Sequence, residues 1–219
     1  MGKHLIAPSL IASDFTKLAD EISMVNNSEA DWLHLDVMDG RFVPNITFGM
    51  MIVEAVKKMS TKPLDVHLMI NEPERYIDAF KNAGADVISF HLEATAHVHR
   101  TLEHIKSMGI KAGIAINPHT PIVMLEDILD VADVFLIMSV NPGFGGQKFI
   151  YQTLNKIKQL RELLNEHNIK ALIEIDGGVG LQNAEVILRA GADVLVAGSS
   201  VFGDKNPTQA ISGLKAYDL

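Results

Sequence analysis

Apolar residues run along this chain in two alternating rhythms. Short aliphatic and β-branched runs begin near Leu5, Trp32, Leu64, Val87, Ala112, Val134, Ala171 and Val194, about 22 to 37 residues apart. That spacing is the size of one strand-plus-helix unit. Between the runs, apolar positions recur at helical intervals over residues 14–25, 50–59, 73–82, 98–108, 122–129, 149–164, 181–190 and 207–214. Eight such units predict an α/β protein with a closed parallel (β/α)8 barrel of the TIM-barrel class. An open doubly wound sheet is the other arrangement of the same elements.

The residues leading into the strands alternate as well. Strands 2, 4, 6 and 8 follow Ala30-Asp31, Ala85-Asp86, Ala132-Asp133 and Ala192-Asp193, whereas strands 1, 3, 5 and 7 follow Lys3, Lys62, Lys111 and Lys170. Strict alternation over the whole chain points to a repeated βαβα unit, which a barrel with two kinds of core layer accommodates.

Composition narrows the class. With 219 residues, of which 47% are hydrophobic, the chain suits one domain spanning 1–219 around one core. Its longest apolar runs fall far short of the ~20 residues that cross a bilayer. The first residues carry one lysine and a short apolar stretch broken by Pro8, with no cleavage-site pattern and no Ser or Thr at position 6. Neither a signal peptide nor myristoylation is expected, so the cytoplasm is the expected location and no membrane partner is foreseen. The absence of cysteine excludes disulfides, thiolate ligands and cysteine nucleophiles. A net charge of −8 without a Lys/Arg cluster argues against nucleic acid.

In a barrel, chemistry sits at the C-terminal ends of the strands, so polar residues inside apolar runs are informative there. Alternation puts His34 and Asp36 on one face of strand 2, Asp65, His67 and Met69 on one face of strand 3, and Glu174 and Asp176 on one face of strand 7. Two imidazoles and two carboxylates converging at one end suit a divalent transition metal. Asp65 and Glu174, one step deeper, read either as partners orienting those ligands or as a structural polar layer. Glycine-rich turns follow the last three strands: Asn141-Pro142-Gly143-Phe144-Gly145-Gly146, Asp176-Gly177-Gly178 and Gly198-Ser199-Ser200. Such loops bind phosphate through backbone N–H groups, which fits an anionic ligand on an acidic chain with only Lys148 nearby. Met38, Met69 and Met138 read equally as core packing or as an adaptable apolar lining.

Several stretches resemble the ribulose-phosphate 3-epimerase family. They are Ala7-Pro8-Ser9-Leu10, His34-Leu35-Asp36-Val37-Met38-Asp39-Gly40, Phe42-Val43-Pro44-Asn45, Asp65-Val66-His67-Leu68-Met69, the run from Met138 to Gln147, and Glu174-Ile175-Asp176-Gly177-Gly178. The similarity runs from about residue 5 to residue 203. It implies one divalent metal ion (zinc, iron(II), manganese or cobalt) held by His34, Asp36, His67 and Asp176, with Asp36 and Asp176 doubling as the acid/base pair. It implies that Ser9 and His67 touch a small phosphorylated ketose, and that Gly143, Phe144, Gly145, Gly146, Gly177, Gly178, Gly198 and Ser199 line its phosphate end. His91-Leu92-Glu93 matches more loosely and carries no expected chemistry. The implied reaction interconverts D-ribulose 5-phosphate and D-xylulose 5-phosphate in carbohydrate metabolism, in a homo-oligomer.

That reaction inverts a carbon beside a ketone. A Lewis-acidic metal lowers the cost of ionising the C–H bond, and two carboxylates on opposite faces avoid one base having to swing around the intermediate. The nearest rival is a D-allulose 6-phosphate 3-epimerase using the same residues. A decarboxylase or synthase of related fold would carry Asp-x-Lys-x-x-Asp on strand 3, where this chain has Asp65-Val66-His67. A Schiff-base aldolase needs a lysine within a barrel strand. A catalytically dead phosphate- or metal-binding barrel is the rival from outside enzymes, and the intact carboxylates speak against it.

Overall fold

In the computed structural model, which describes residues 4–217, the apolar runs become β1 (Leu5–Pro8), β2 (Leu33–Met38), β3 (Leu64–Met69), β4 (Val87–His91), β5 (Lys111–Ile116), β6 (Val134–Met138), β7 (Leu172–Asp176) and β8 (Val194–Ala197). All pair in parallel in the order β1-β8-β7-β6-β5-β4-β3-β2. The ring nearly closes. Its β1/β2 seam is bridged by Ser9 opposite His34 and by the N–H groups of Asp31 and Trp32, which donate to Ile6 O at 2.9 and 3.2 Å. This is the (β/α)8 barrel, and the doubly wound alternative falls.

Around it lie α1 (Leu18–Asn26), α2 (Met50–Met59), α3 (Ile77–Asn82), α4 (Val98–Ser107), α5 (Thr153–Glu166), α6 (Ala184–Ala190), α7 (Ser199–Phe202) and α8 (Pro207–Lys215). Outward residues of the strands, such as Leu33, Leu35 and Val37, share the main core with helix residues such as Val53, Val56 and Phe80. Inward residues form layers. Trp32, Val87, Val134 and Val194, with Leu5 and Leu172, plug the N-terminal end. Above the plug sits a fully buried polar layer of His34, Asp65, Ser89 and Glu174. Asp36, His67, His91 and Asp176 lie one step further along the same strands, at the mouth. Among the described residues no helix is long and apolar enough to cross a membrane.

Element boundaries differ from the sequence expectation where a side chain competes for backbone groups. Asp14 accepts from Thr16 N and sets a 3₁₀ turn over Phe15–Lys17, which delays α1 to Leu18. Buried Asn183 accepts from Gly180 N and donates to Gly178 O, which holds off α6 until Ala184. Pro73–Arg75 is likewise a separate 3₁₀ turn ahead of α3, and the segment ahead of α5 remains a turn up to Thr153. The segment 122–129, expected as an ordinary helix, is a 3₁₀ helix over Ile122–Ile128. Its buried residues, Ile122, Leu125 and Ile128, recur every three positions, the period at which 3₁₀ side chains eclipse.

The Ala-Asp half of the repeat has one structural meaning. In every case the aspartate N–H donates to the C=O of a residue at the start of the neighbouring odd strand, and its carboxylate accepts that same residue's N–H. The pairs are Asp31 with Ile6, Asp86 with Leu64, Asp133 with Ala112 and Asp193 with Ile173, with carboxylate contacts of 2.8 to 2.9 Å. Each carboxylate also meets a cation from a flanking helix: Lys215 at 2.7 Å, Lys57 at 2.6 Å, Lys106 at 3.5 Å, and Arg161. The lysine half has no such common partner. Lys62 Nζ donates to Ser28 O, Lys111 and Lys170 are exposed, and Lys3 lies outside the described residues.

Candidate active site

Strand register assembles the centre. His34 stands opposite Asp65 and Asp36 opposite His67 across the β2/β3 pair, while Met138 of β6 faces Asp176 of β7. His34, Asp36, His67 and Asp176 each offer a ligand atom, and these atoms lie within 4.8 Å of one another. His67 Nδ1 is 3.2 Å from Asp36 Oδ1 and 3.7 Å from Asp176 Oδ2. All four residues expected to meet at one end of the barrel therefore do so.

The set fits a divalent cation. His34 Nδ1 is bound to Asp65 Oδ2 at 2.5 Å, with Glu174 Oε1 at 3.6 Å. Its other nitrogen, Nε2, is buried without a hydrogen-bond partner, 3.3 Å from Asp36 Oδ1. In its neutral form His34, with Nδ1–H held by Asp65 and Nε2 free beside Asp36, could serve as a metal ligand. Asp65 thus holds His34 as the orienting reading expected, whereas both carboxylate oxygens of Glu174 are buried without a hydrogen-bond partner.

Electrostatics separates the carboxylates. Burial raises the Asp36 carboxyl, but the charges and hydrogen bonds of His34 and His67 outweigh it and hold Asp36 well below the usual carboxylate range. Burial, reinforced by the Asp36 charge, pushes Asp176 up to about 6. Glu174 is raised well above its ordinary value by burial and by the charge of Asp65. Burial disfavours a charged His34, yet Asp36 and Asp65 more than offset it and raise that imidazole well above its usual value. A proton there balances the buried negative charge that a cation would otherwise balance.

Above the centre opens a cavity of about 240 Å³. Asp36 and Asp176 form its floor with Ser9, and Met38, Met69 and Met138 its apolar wall. Gly143, Phe144, Gly145, Gly146, Gly177, Gly178, Gly198 and Ser199 all line it. The first turn of α7, beginning at Ser199, leaves its leading N–H groups without partners in that helix. His34 and His67 lie beneath the floor, fully buried. Ser9 has a role the sequence did not show: its Oγ donates to Asp36 Oδ2 at 2.5 Å. Gln147 and Gln182 also reach the cavity, and no motif singled them out as lining. Asn45 Nδ2 donates to Gly143 O at 2.9 Å, tying the loop after β2 to the glycine loop after β6. His91 and Glu93, given no chemical role by the sequence, stand directly behind His67.

Known proteins agree with this geometry. The family model described as ribulose-phosphate 3 epimerase matches residues 5–202. A ribulose-phosphate 3-epimerase of Bacillus subtilis is 52% identical over 96% of this chain and 97% of its own length. One from Synechocystis is 51% identical over 98% of this chain and 95% of its own, and a chloroplastic ribulose-5-phosphate-3-epimerase of Arabidopsis thaliana 50% over 97% and 76%. Among solved structures, a 3-hexulose-6-phosphate synthase superposes with a TM-score of 0.71 over 98% of this chain and 100% of that one. At 18% identity it supports the fold alone. A tryptophan synthase α-subunit from Pyrococcus furiosus does the same, with a TM-score of 0.72 at 16% identity over 99% and 100%. The chain belongs to the ribulose-phosphate 3-epimerase family and is an isomerase of the epimerase kind.

Proposed function

We propose that this chain works as one barrel domain interconverting D-ribulose 5-phosphate and D-xylulose 5-phosphate, with a divalent transition metal at His34, Asp36, His67 and Asp176. The observation that carries the reading is the meeting of Asp36 and Asp176 at one imidazole, on the floor of a cavity rimmed by glycine loops. The names of the relatives supply the substrate class.

A cation bound by this set (zinc, iron(II), manganese or cobalt) supplies Lewis acidity that makes the C3 proton removable near neutral pH. The chain's own groups do the rest. One aspartate takes the proton from one face of the sugar and the other returns a proton to the opposite face. Their anchorage on β2 and β7 removes the need for either to travel around the substrate. Ser9 holds Asp36 Oδ2, which leaves Oδ1 directed at the imidazoles. The glycine loops after β6, β7 and β8, with the start of α7, receive the phosphate through backbone N–H groups. Met38, Met69 and Met138 exclude water from the reacting carbon without offering a competing acid.

The test is solvent exchange. In deuterated water, metal-loaded Asp36→Asn and Asp176→Asn are expected each to wash out the C3 proton of a different epimer. Interconversion should fall by about 10²–10⁴-fold in both, the usual worth of a general acid or base. Exchange of the same epimer by both variants, at wild-type metal content, overturns the two-base assignment.

A further inference from the structure

His91 ends β4 and is fully buried, with its Nε2 2.9 Å from Nε2 of His67. The two rings stack with centroids 5.0 Å apart, and Phe42 packs on the His91 ring at 4.6 Å. Two ring nitrogens facing each other at hydrogen-bond distance share a single proton, so one ring donates and the other accepts.

Which one donates is decided on the far side of His91. Its Nδ1 lies 3.3 Å from Glu93 Oε2. The other oxygen of Glu93 accepts from Asn117 N at 2.9 Å and from Thr120 Oγ1. Lys156 Nζ donates to the carbonyl oxygens of Asn117 and Thr120, fixing that loop in place. Burial raises the Glu93 carboxyl, but the donors from His91, Thr120 and Asn117 prevail and lower it to about 2, so it is a pure acceptor. His91 Nδ1 must therefore carry the hydrogen. A second proton on Nε2 would make a cation with no exposed surface, packed between the His67 and Phe42 rings. Its Nε2 is bare and accepts, and the proton between the rings belongs to His67.

We propose that Glu93 and His91 are positioning residues that hold the His67 proton on Nε2, leaving the Nδ1 lone pair for the cation at the Asp36 and Asp176 side. The proposal rests on the metal reading above and adds to it how that ligand is set. His34 and His67 then present opposite nitrogens, Nε2 and Nδ1, each locked by a carboxylate: Asp65 directly for His34 and Glu93 through His91 for His67.

Glu93→Gln tests this, because it reverses the relay without changing its shape. The carboxamide must keep its oxygen towards the two donors, Asn117 N and Thr120 Oγ1, so its NH2 faces His91 Nδ1 and donates. His91 then carries its hydrogen on Nε2, and His67 is driven to the Nδ1–H tautomer that cannot ligate. Histidine side-chain 15N spectra should place the His91 proton on Nδ1 in the wild type and on Nε2 in the variant. Zinc affinity, measured by competition with a chromophoric chelator, should fall about 10- to 100-fold, the usual worth of a group behind a metal ligand. His91→Phe, which keeps the ring and removes the acceptor, should lower zinc affinity in the same range. A wild-type protein that binds zinc while His91 is protonated on Nε2 overturns this proposal and leaves the metal reading standing. Glu93→Gln with the wild-type tautomer or undiminished zinc affinity overturns it too. A wild type that binds no divalent cation overturns the metal reading itself.

Discussion

A Cβ added to Gly198 would meet nothing closer than Ala12 Cβ at 3.4 Å, with Ser9 Cβ at 3.8 Å and Ser9 O at 4.0 Å, whereas one on Gly178 would strike Phe149 N at 2.5 Å and Gln147 O at 2.8 Å. Gly178 also has φ of +65°, so a side chain there strains the backbone as well. In the sequence these glycines look alike, since both follow strands in loops suited to phosphate. Packing gives one a structural duty and leaves the other free to serve the ligand. Gly198→Asp should therefore fold normally while placing a carboxylate at the phosphate end of the cavity. We expect KM for the phosphorylated ketose to rise at least about 10-fold, the effect of roughly 1.4 kcal/mol, with the melting temperature nearly unchanged. An unaltered KM would move the phosphate elsewhere. The same contrast explains which site residues were readable. His34, Asp36, His67 and Asp176 stood out because strand alternation places polar groups inside apolar runs. Ser9 and Asp36 are 27 positions apart, and His67 and His91 24 apart. No local spacing announces such pairs, because strand register alone brings them together.

Strand interiors were readable from alternation, but the fit between neighbouring strands was not. Gly113 of β5 stands opposite Ser89 of β4, and a Cβ on it would sit 2.0 Å from Ser89 Oγ, 2.9 Å from Ser89 Cβ and 3.0 Å from Ser89 Cα. Rotating the hydroxyl relieves only the first contact, so the strands themselves must part. Gly113→Ala should destabilise the protein by about 1–3 kcal/mol, the usual cost of overpacking a filled core. Urea denaturation of the purified variant measures this, and an unchanged midpoint would show that the pair has slack. Helix starts were misjudged for a related reason. Asp14 and Asn183 spend their side chains on nearby backbone N–H groups, and an apolar period records burial without recording such caps. The 3₁₀ connection Ile122–Ile128 shows the limit of periodicity itself, since three buried residues at intervals of three satisfy a loose helical template.

At the scale of the molecule, chemistry and cohesion occupy opposite ends of the barrel. The candidate metal-binding set, the cavity and the glycine loops lie at the C-terminal ends of the strands, while the four aspartate clasps lie where the strands begin. The alternation of Ala-Asp and lysine was plain in the sequence, and so was the barrel it implied. Its purpose was not, because each aspartate bonds a residue 20 to 25 positions earlier, on the neighbouring strand. Asp193 gives the sharpest test of this division. It accepts from Ile173 N at 2.8 Å, pairs with Arg161, and returns its own N–H to Ile173 O at 2.8 Å. Asp193→Ala keeps the backbone bond but strips the carboxylate from a buried N–H and a half-buried guanidinium. A donor left unsatisfied costs about 1–3 kcal/mol, and the ion pair adds little because both partners still reach water. Urea denaturation should show a loss of that size, while kcat and KM measured well below the melting temperature stay at wild-type values. A fall in kcat with full stability would mean that the strand-start clasps feed into the site, and the separation of the two ends would be wrong.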